Sequence, residues 1–265
     1  MKSTFENKVV WIVGASSGIG KETAIQLEKL GAQLILSSRK VEQLEALKNQ
    51  FTSPEKHLVL ALDLEKSNNF NVLVEQVLER FGSIDYLFNN GGISQRSTAS
   101  ETSLEVLRKV FEIDFFGNVA LTKAVLPVFQ RQQSGHVVVI SSIAGKFGFF
   151  LRSGYSAAKH ALQGYYESLA LEEEANGIHV TIACPGKINT PISISAITAE
   201  GKAHGVMDHN QATGMPVEEC VSQLLQAVSK RKLEVFIGGR ELLAVKIRRF
   251  FPGLFWRIIK KQSAT

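Results

Sequence analysis

Tyr155 and Lys159 are four residues apart where a helical pattern begins, so a helix there carries both side chains on one face. A phenol with its ordinary pKa of about 10 is a poor acid or base at neutral pH. A neighbouring ammonium favours the phenolate and brings the group toward the working range. There, general acid–base catalysis is worth roughly 10²- to 10⁴-fold. Tyrosine and lysine meet at this spacing on many helices, so what surrounds them decides the meaning of the pair.

The segment Gly14-Ala15-Ser16-Ser17-Gly18-Ile19-Gly20 follows the apolar run Lys8–Val13 and precedes a helical pattern. Glycines in that context allow a tight turn and let the backbone approach a pyrophosphate, which then sits on the positive end of the following helix. The second apolar run ends in Ser38-Arg39-Lys40. An acidic residue there would bond the ribose 2′-hydroxyl of NAD, whereas an arginine accepts the 2′-phosphate of NADP. Ser38 stands in the acid's place, Arg39 offers a planar fork of donors, and Lys40 adds positive field. NADP(H) is the cofactor this arrangement predicts.

These groups need a frame. Short apolar runs at Lys8–Val13, Gln33–Ser37, His57–Leu62, Ile84–Phe88, His136–Ile140, His179–Ala183 and Glu234–Ile237 read as strands. Between them, Thr23–Leu30, Val41–Phe51, Phe70–Phe81, Leu104–Phe111, Val119–Phe129 and Ala157–Glu174 repeat apolar residues three and four apart and read as helices. The alternation predicts an α/β, doubly wound Rossmann-type fold, a seven-stranded parallel sheet with helices on both faces. At 265 residues one domain is expected, spanning 1–265. The weakly periodic stretch 191–216 is expected to be a substrate loop.

The motifs, taken in order, resemble the short-chain dehydrogenase/reductase family, in its single-domain NADP-type branch. They are the Gly-x3-Gly-x-Gly turn, Asp63-Leu64, Asn89-Asn90-Gly91-Gly92 (Gly91 where the family has alanine), Ser142, Tyr155-x3-Lys159, and Pro185-Gly186 with Thr190. The resemblance covers residues 8 to about 240, and Ala196–Pro216 resembles one branch of the family in particular. It implies that Gly14, Ser16, Ser17, Gly18, Ile19, Gly20, Ser38, Arg39, Lys40, Asp63, Leu64, Asn90, Gly91, Tyr155, Lys159, Pro185, Gly186, Ile188 and Thr190 hold the cofactor. It also implies that Tyr155 exchanges a proton with the substrate, that Lys159 bonds the nicotinamide ribose, and that Ser142 holds the substrate oxygen.

One position departs from the pattern. Phe111-Glu112-Ile113-Asp114-Phe115-Phe116-Gly117 has Asp114 where the family has asparagine, whose main-chain carbonyl holds a water in a proton relay to the lysine. The carbonyl survives the change, and Asp114 is kept among the catalytic residues. Aspartate accepts hydrogen bonds as asparagine does but donates none unless protonated. Asn118 is the alternative if the alignment slips, against which Gly117 argues.

Selectivity is expected from Gly145–Leu151 and from Ile192, Ile194, Ile197 and Met207, as the wall of a pocket for a small apolar carbonyl or alcohol, steroid-, retinoid- or lipid-like. The same aromatics serve equally as core. Cys184 and Cys220 are too few for a disulfide framework, and neither they nor the six histidines have metal-ligand spacing, so no metal is expected. Neither a signal-peptide pattern nor a spanning apolar stretch is present, and a cytoplasmic location is expected.

The net charge of +5 is concentrated in one segment. Residues 240–261 hold Arg240, Lys246, Arg248, Arg249, Arg257, Lys260 and Lys261 against the single acid Glu241, so the basic balance predicts no nucleic-acid partner. Leu, Phe, Trp and Ile alternate with these charges around Pro252-Gly253. Packing on the fold or on a partner subunit of a homodimer or homotetramer is expected. Peripheral membrane contact through 241–261 is the alternative. Competing functions are an NADP(H)-binding sensor or scaffold without turnover, and a non-redox epimerase or dehydratase that shares the tyrosine–lysine pair.

Overall fold

The structure is a computed structural model and describes residues 1–262. Seven strands form one sheet: β1 (Val9–Val13), β2 (Gln33–Ser38), β3 (Leu58–Ala61), β4 (Tyr86–Asn89), β5 (Gly135–Ile140), β6 (Ile178–Pro185) and β7 (Glu234–Ile237). Their order is β3-β2-β1-β4-β5-β6-β7, and every pair is parallel. The direction of winding reverses between β1 and β4, and ligands bind outside the carboxyl ends of strands at such a point.

The helices are α1 (Lys2–Phe5), α2 (Gly18–Lys29), α3 (Val41–Lys48), α4 (Phe70–Phe81), α5 (Leu104–Phe111), α6 (Gly117–Gln132), α7 (Ser153–Glu172), α8 (His209–Ala212), α9 (Val217–Ser229), α10 (Leu243–Phe250) and α11 (Pro252–Ile259). Alternation along a strand decides which helices cover which face. Val9, Trp11 and Val13 of β1 join a core with residues of α4, α6 and α7, such as Val77, Leu121 and Leu162. Val10 and Ile12 point the other way, to Leu27, Leu44 and Leu224 of α2, α3 and α9. A strand buried on both faces must be apolar throughout, and β1 is buried along its whole length.

All seven expected strands and six expected helices are present, with boundary shifts. Helix α2 begins at Gly18, earlier than its apolar periodicity predicts, because the glycine turn itself forms its first turn. The helix α9 is not among those six. Its signal is present nonetheless: Cys220, Val221, Leu224, Leu225 and Val228 make a buried stripe at helical spacing. Residues 191–216 are irregular apart from α8. Short bridges pin that stretch: Gln95 with Ile197, and Ile188 with Met215. Between α5 and α6 the chain widens into a π-helical segment, Glu112–Phe116.

Candidate active site

A cavity of about 830 Å³ lies across the carboxyl ends of the strands. Gly14, Ser16, Ser17, Gly18 and Ile19 line it after β1. Ser38, Arg39 and Lys40 follow at the end of β2, then Asp63 and Leu64, Asn90 and Gly91, Ser142, and finally Pro185, Gly186, Ile188 and Thr190. Tyr155 and Lys159 reach it from the first turns of α7. One site therefore gathers residues that the chain spreads over more than 170 positions.

The turn after β1 has the shape a pyrophosphate needs. Gly14 has φ +76°, and a Cβ there would lie 2.8 Å from the backbone of Gly91. A Cβ on Gly20, which supports the turn from behind, would collide with the Gly14 carbonyl. The Asn90 side chain donates to that same carbonyl at 3.2 Å. Ser17, the residue before α2, gives the helix no side-chain cap, so the first amides are left for an incoming anion. Arg39 and Lys40 are exposed at the rim, and neither has an ion-pair partner among the described residues. Gly91, the departure from alanine, has a packing reason: Leu64 and Val13 occupy the space that a methyl group would need.

Tyr155 and Lys159 are both buried, and the Lys159 ammonium lies 5.5 Å from the centre of the Tyr155 ring. Lys159 Nζ donates to the Ile140 carbonyl at 3.1 Å. Ser142 Oγ accepts from the Ala144 amide at 3.1 Å and meets the Pro185 carbonyl at 3.4 Å.

Asp114 sits in the π-helical segment directly behind Lys159. It is inaccessible to solvent and does not line the cavity. Its Oδ1 accepts from the Ile93 amide at 2.7 Å, and its Oδ2 is 3.4 Å from Lys159 Nζ. Its main-chain carbonyl accepts from Asn118 Nδ2 at 3.1 Å, and Asn118 also donates to the carbonyls of Ile113 and Gly91. The carboxylate, rather than the carbonyl that the family pattern implies, is thus the group facing the lysine. Burial pushes this carboxyl above the ordinary aspartate range, while Lys159 and the Ile93 amide oppose the shift.

The expected pocket wall is corrected in part. Phe147, Phe149 and Ile192 line the cavity. Ile197 instead packs into a core cluster with Val106, Val110 and Ala158. Ile194 is exposed, and Met207 accepts the hydroxyl of Ser193 at 3.3 Å. A stretch without periodicity gives no cue to which of its apolar side chains turn inward.

Two features escape a reading of the sequence. Arg96 and Arg152 line the cavity and share the buried carboxylate of Asp208, Arg96 Nε and Arg152 Nη2 each at 2.9 Å from Oδ2. Arg152 precedes Tyr155 by one helical turn, which is a local cue, but its partner lies 56 residues away. The second feature is that the tail reaches the cavity. Phe255 and Ile259 of α11 bury against Phe147, and Leu243, Ala244, Ile247, Ile258 and Ile259 line the cavity. Glu241 anchors the segment: its Oε1 accepts from the amides of Lys187 and Gly239, each at 3.0 Å. The tail therefore packs on the fold, as expected, and also walls the site. Among the described residues no group of side chains has a metal-binding arrangement.

The short chain dehydrogenase family profile matches residues 8–201. The chain belongs to this family. It is 40% identical over 268 residues to mouse (Mus musculus) dehydrogenase/reductase SDR family member 7B, covering 99% of this chain and 83% of the relative. A Drosophila melanogaster relative, dehydrogenase/reductase SDR family protein 7-like, is 35% identical with 99% and 82% covered. Among solved structures, a short-chain dehydrogenase from Streptomyces avermitilis superposes with a TM-score of 0.78 at 29% identity, covering 96% of this chain and 94% of that one. A short chain dehydrogenase/reductase from Burkholderia phymatum in complex with NAD superposes at 0.83 over 95% and 96%, with 21% identity. This short-chain dehydrogenase is thus an oxidoreductase whose family uses a nicotinamide dinucleotide. The cavity fits such a group, through the glycine cradle and the uncapped start of α2.

Proposed function

We propose that this short-chain dehydrogenase interconverts an apolar carbonyl compound, steroid-, retinoid- or lipid-like, with its alcohol, using NADP(H) and Tyr155 as general acid and base. The observation that carries this reading is the convergence of Tyr155, Lys159 and Ser142 on the cavity that also holds the glycine turn and Arg39. Hydride transfer is the chemistry the nicotinamide supplies when bound.

The chain's own groups do the rest. Tyr155 gives its proton to the carbonyl oxygen during reduction and takes the alcohol proton during oxidation. Lys159, held by the Ile140 carbonyl, keeps a positive charge beside the phenol. Ser142 offers its hydroxyl to the substrate oxygen. Arg39, exposed at the cavity rim with no acidic residue beside it in sequence, would hold the 2′-phosphate, which supports NADP(H) over NAD(H). Phe147, Phe149, Ile192, Ile247 and Ile259 make an apolar wall suited to such a substrate. On this reading residues 1–265 act as one domain in a cytoplasmic homodimer or homotetramer, with 191–216 as the substrate loop.

One observation favours a second reading. The Asp114 carboxylate, 3.4 Å from Lys159 Nζ, draws on the charge that would act on the phenol, which supports NADP(H) binding without turnover. The deciding measurement is NADPH oxidation against a panel of apolar ketones and aldehydes, with NADH and Tyr155→Phe in parallel. Stoichiometric NADPH consumption that falls at least about 10²-fold in Tyr155→Phe establishes the reductase. NADPH binding without consumption across the panel removes the reductase and favours the sensor.

A further inference from the structure

The tail helices that wall the cavity present their other side to solvent, and that side is apolar. Phe250 and Phe251, at the elbow between α10 and α11, are 68% and 63% exposed, and Leu254 and Trp256 are 49% and 48% exposed. Single exposed apolar residues are ordinary; four within seven positions form a patch. Arg249, Arg257, Lys260 and Lys261 are exposed around it, and none has an ion-pair partner among the described residues. The one acid of the segment, Glu241, is turned inward onto the Lys187 and Gly239 amides, so it does not offset this charge.

The patch is continuous with the cavity mouth. Leu243 and Ile258 line the cavity and are still 56% and 40% exposed, so one edge of the opening belongs to the same two helices.

We propose that the α10–α11 elbow docks on an anionic lipid bilayer, inserting Phe250, Phe251 and Leu254 at the headgroup level, with the cavity mouth against the membrane. The charge decides between occupants. A two-fold contact with a second copy would bring the same unpaired arginines and lysines face to face. An anionic bilayer accepts the aromatic side chains in its interface and the cations at its phosphates. No helix among the described residues is long and apolar enough to cross a membrane. Docked in this way, the protein takes its apolar substrate from the bilayer; that second step rests on the proposed reductase activity, whereas the docking does not.

The test is vesicle co-sedimentation of the full chain. Phosphatidylcholine vesicles are compared with vesicles that also contain phosphatidylglycerol, at low and high salt. The parent chain is run beside Phe250→Ser/Phe251→Ser/Leu254→Ser, with the thermal midpoint and NADPH binding of both as controls for folding. Binding to the anionic vesicles that weakens with salt, and weakens at least about tenfold in the triple variant, is the expected result. An absence of binding to anionic vesicles overturns the docking, as does equal binding by a folded variant. It is also overturned by a solution dimer of the parent that the triple substitution breaks, which gives the patch to a second copy. With a ketone dissolved in the vesicles, the docked parent turns over faster than the variant, while both reduce a water-soluble ketone alike. Vesicle binding without reduction of either ketone removes the reductase reading and leaves the docking intact.

Discussion

The carboxylate Oδ2 of Asp114 lies 3.4 Å from Nζ of Lys159, and both side chains are buried. A buried pair of this kind contributes little over an apolar pair, but removing one partner strands the other. Asp114→Ala takes away the counter-charge of Lys159 and the acceptor of the Ile93 amide, and is expected to lower stability by about 3–5 kcal/mol. Asp114→Asn keeps an acceptor for that amide and costs less. Urea unfolding of the two variants beside the parent checks the order; equal losses would mean that the lost charge, and not the acceptor of the Ile93 amide, accounts for the cost.

On the proposed reading, Arg39 is the residue that selects NADP(H). A hydrogen bond to a charged group contributes about 1.5–3 kcal/mol, so Arg39→Ala is expected to weaken NADPH binding roughly 10- to 100-fold. NADH carries no 2′-phosphate, and its affinity should be unchanged. Parallel fluorescence titrations with the two cofactors read this directly. An equal loss for both would assign Arg39 to folding rather than to the phosphate.

Asp208 holds two arginines together at the cavity wall. Burial and the neighbouring Arg96 push the Arg152 guanidinium down to about 10, and the Asp208 carboxylate opposes them. Asp208→Ala leaves a buried and a partly buried cation facing each other and is expected to cost about 3–5 kcal/mol. A thermal midpoint within a degree or two of the parent's would show that the loop 191–216 relaxes around the change.

His136 sets an acid limit. Its Nε2 lies 2.8 Å from Thr181 Oγ1, and burial pushes the ring from its ordinary 6.5 to about 3. Between those values the folded chain binds fewer protons than the unfolded chain. Its contribution is complete above pH 6.5 and is lost as the pH falls toward 3, with a slope of up to about 1.4 kcal/mol per pH unit. His136→Gln cannot take up that proton, so the gap in unfolding free energy between parent and variant should narrow with acid. A constant gap across that range would contradict the assignment.

Much of this molecule is determined locally and is therefore legible in the chain. Trp11 and its neighbours in β1 are apolar because a central parallel strand is covered on both faces. Gly14 is glycine because of its positive φ and the close approach of Gly91. Tyr155 and Lys159 share a helix, so their spacing alone places them together. Contacts between distant segments were settled only by the tertiary structure. Nothing near Asp208 in sequence marks it as the partner of Arg96, 112 residues away. Nothing in the tail's composition says that Phe255 and Ile259 bury against Phe147 while Phe250 and Phe251 stay in solvent. Backbone geometry and periodicity act over a few residues and leave their mark on residue type. Pairings across the fold depend on where whole elements dock, and neither partner carries a sign of the other.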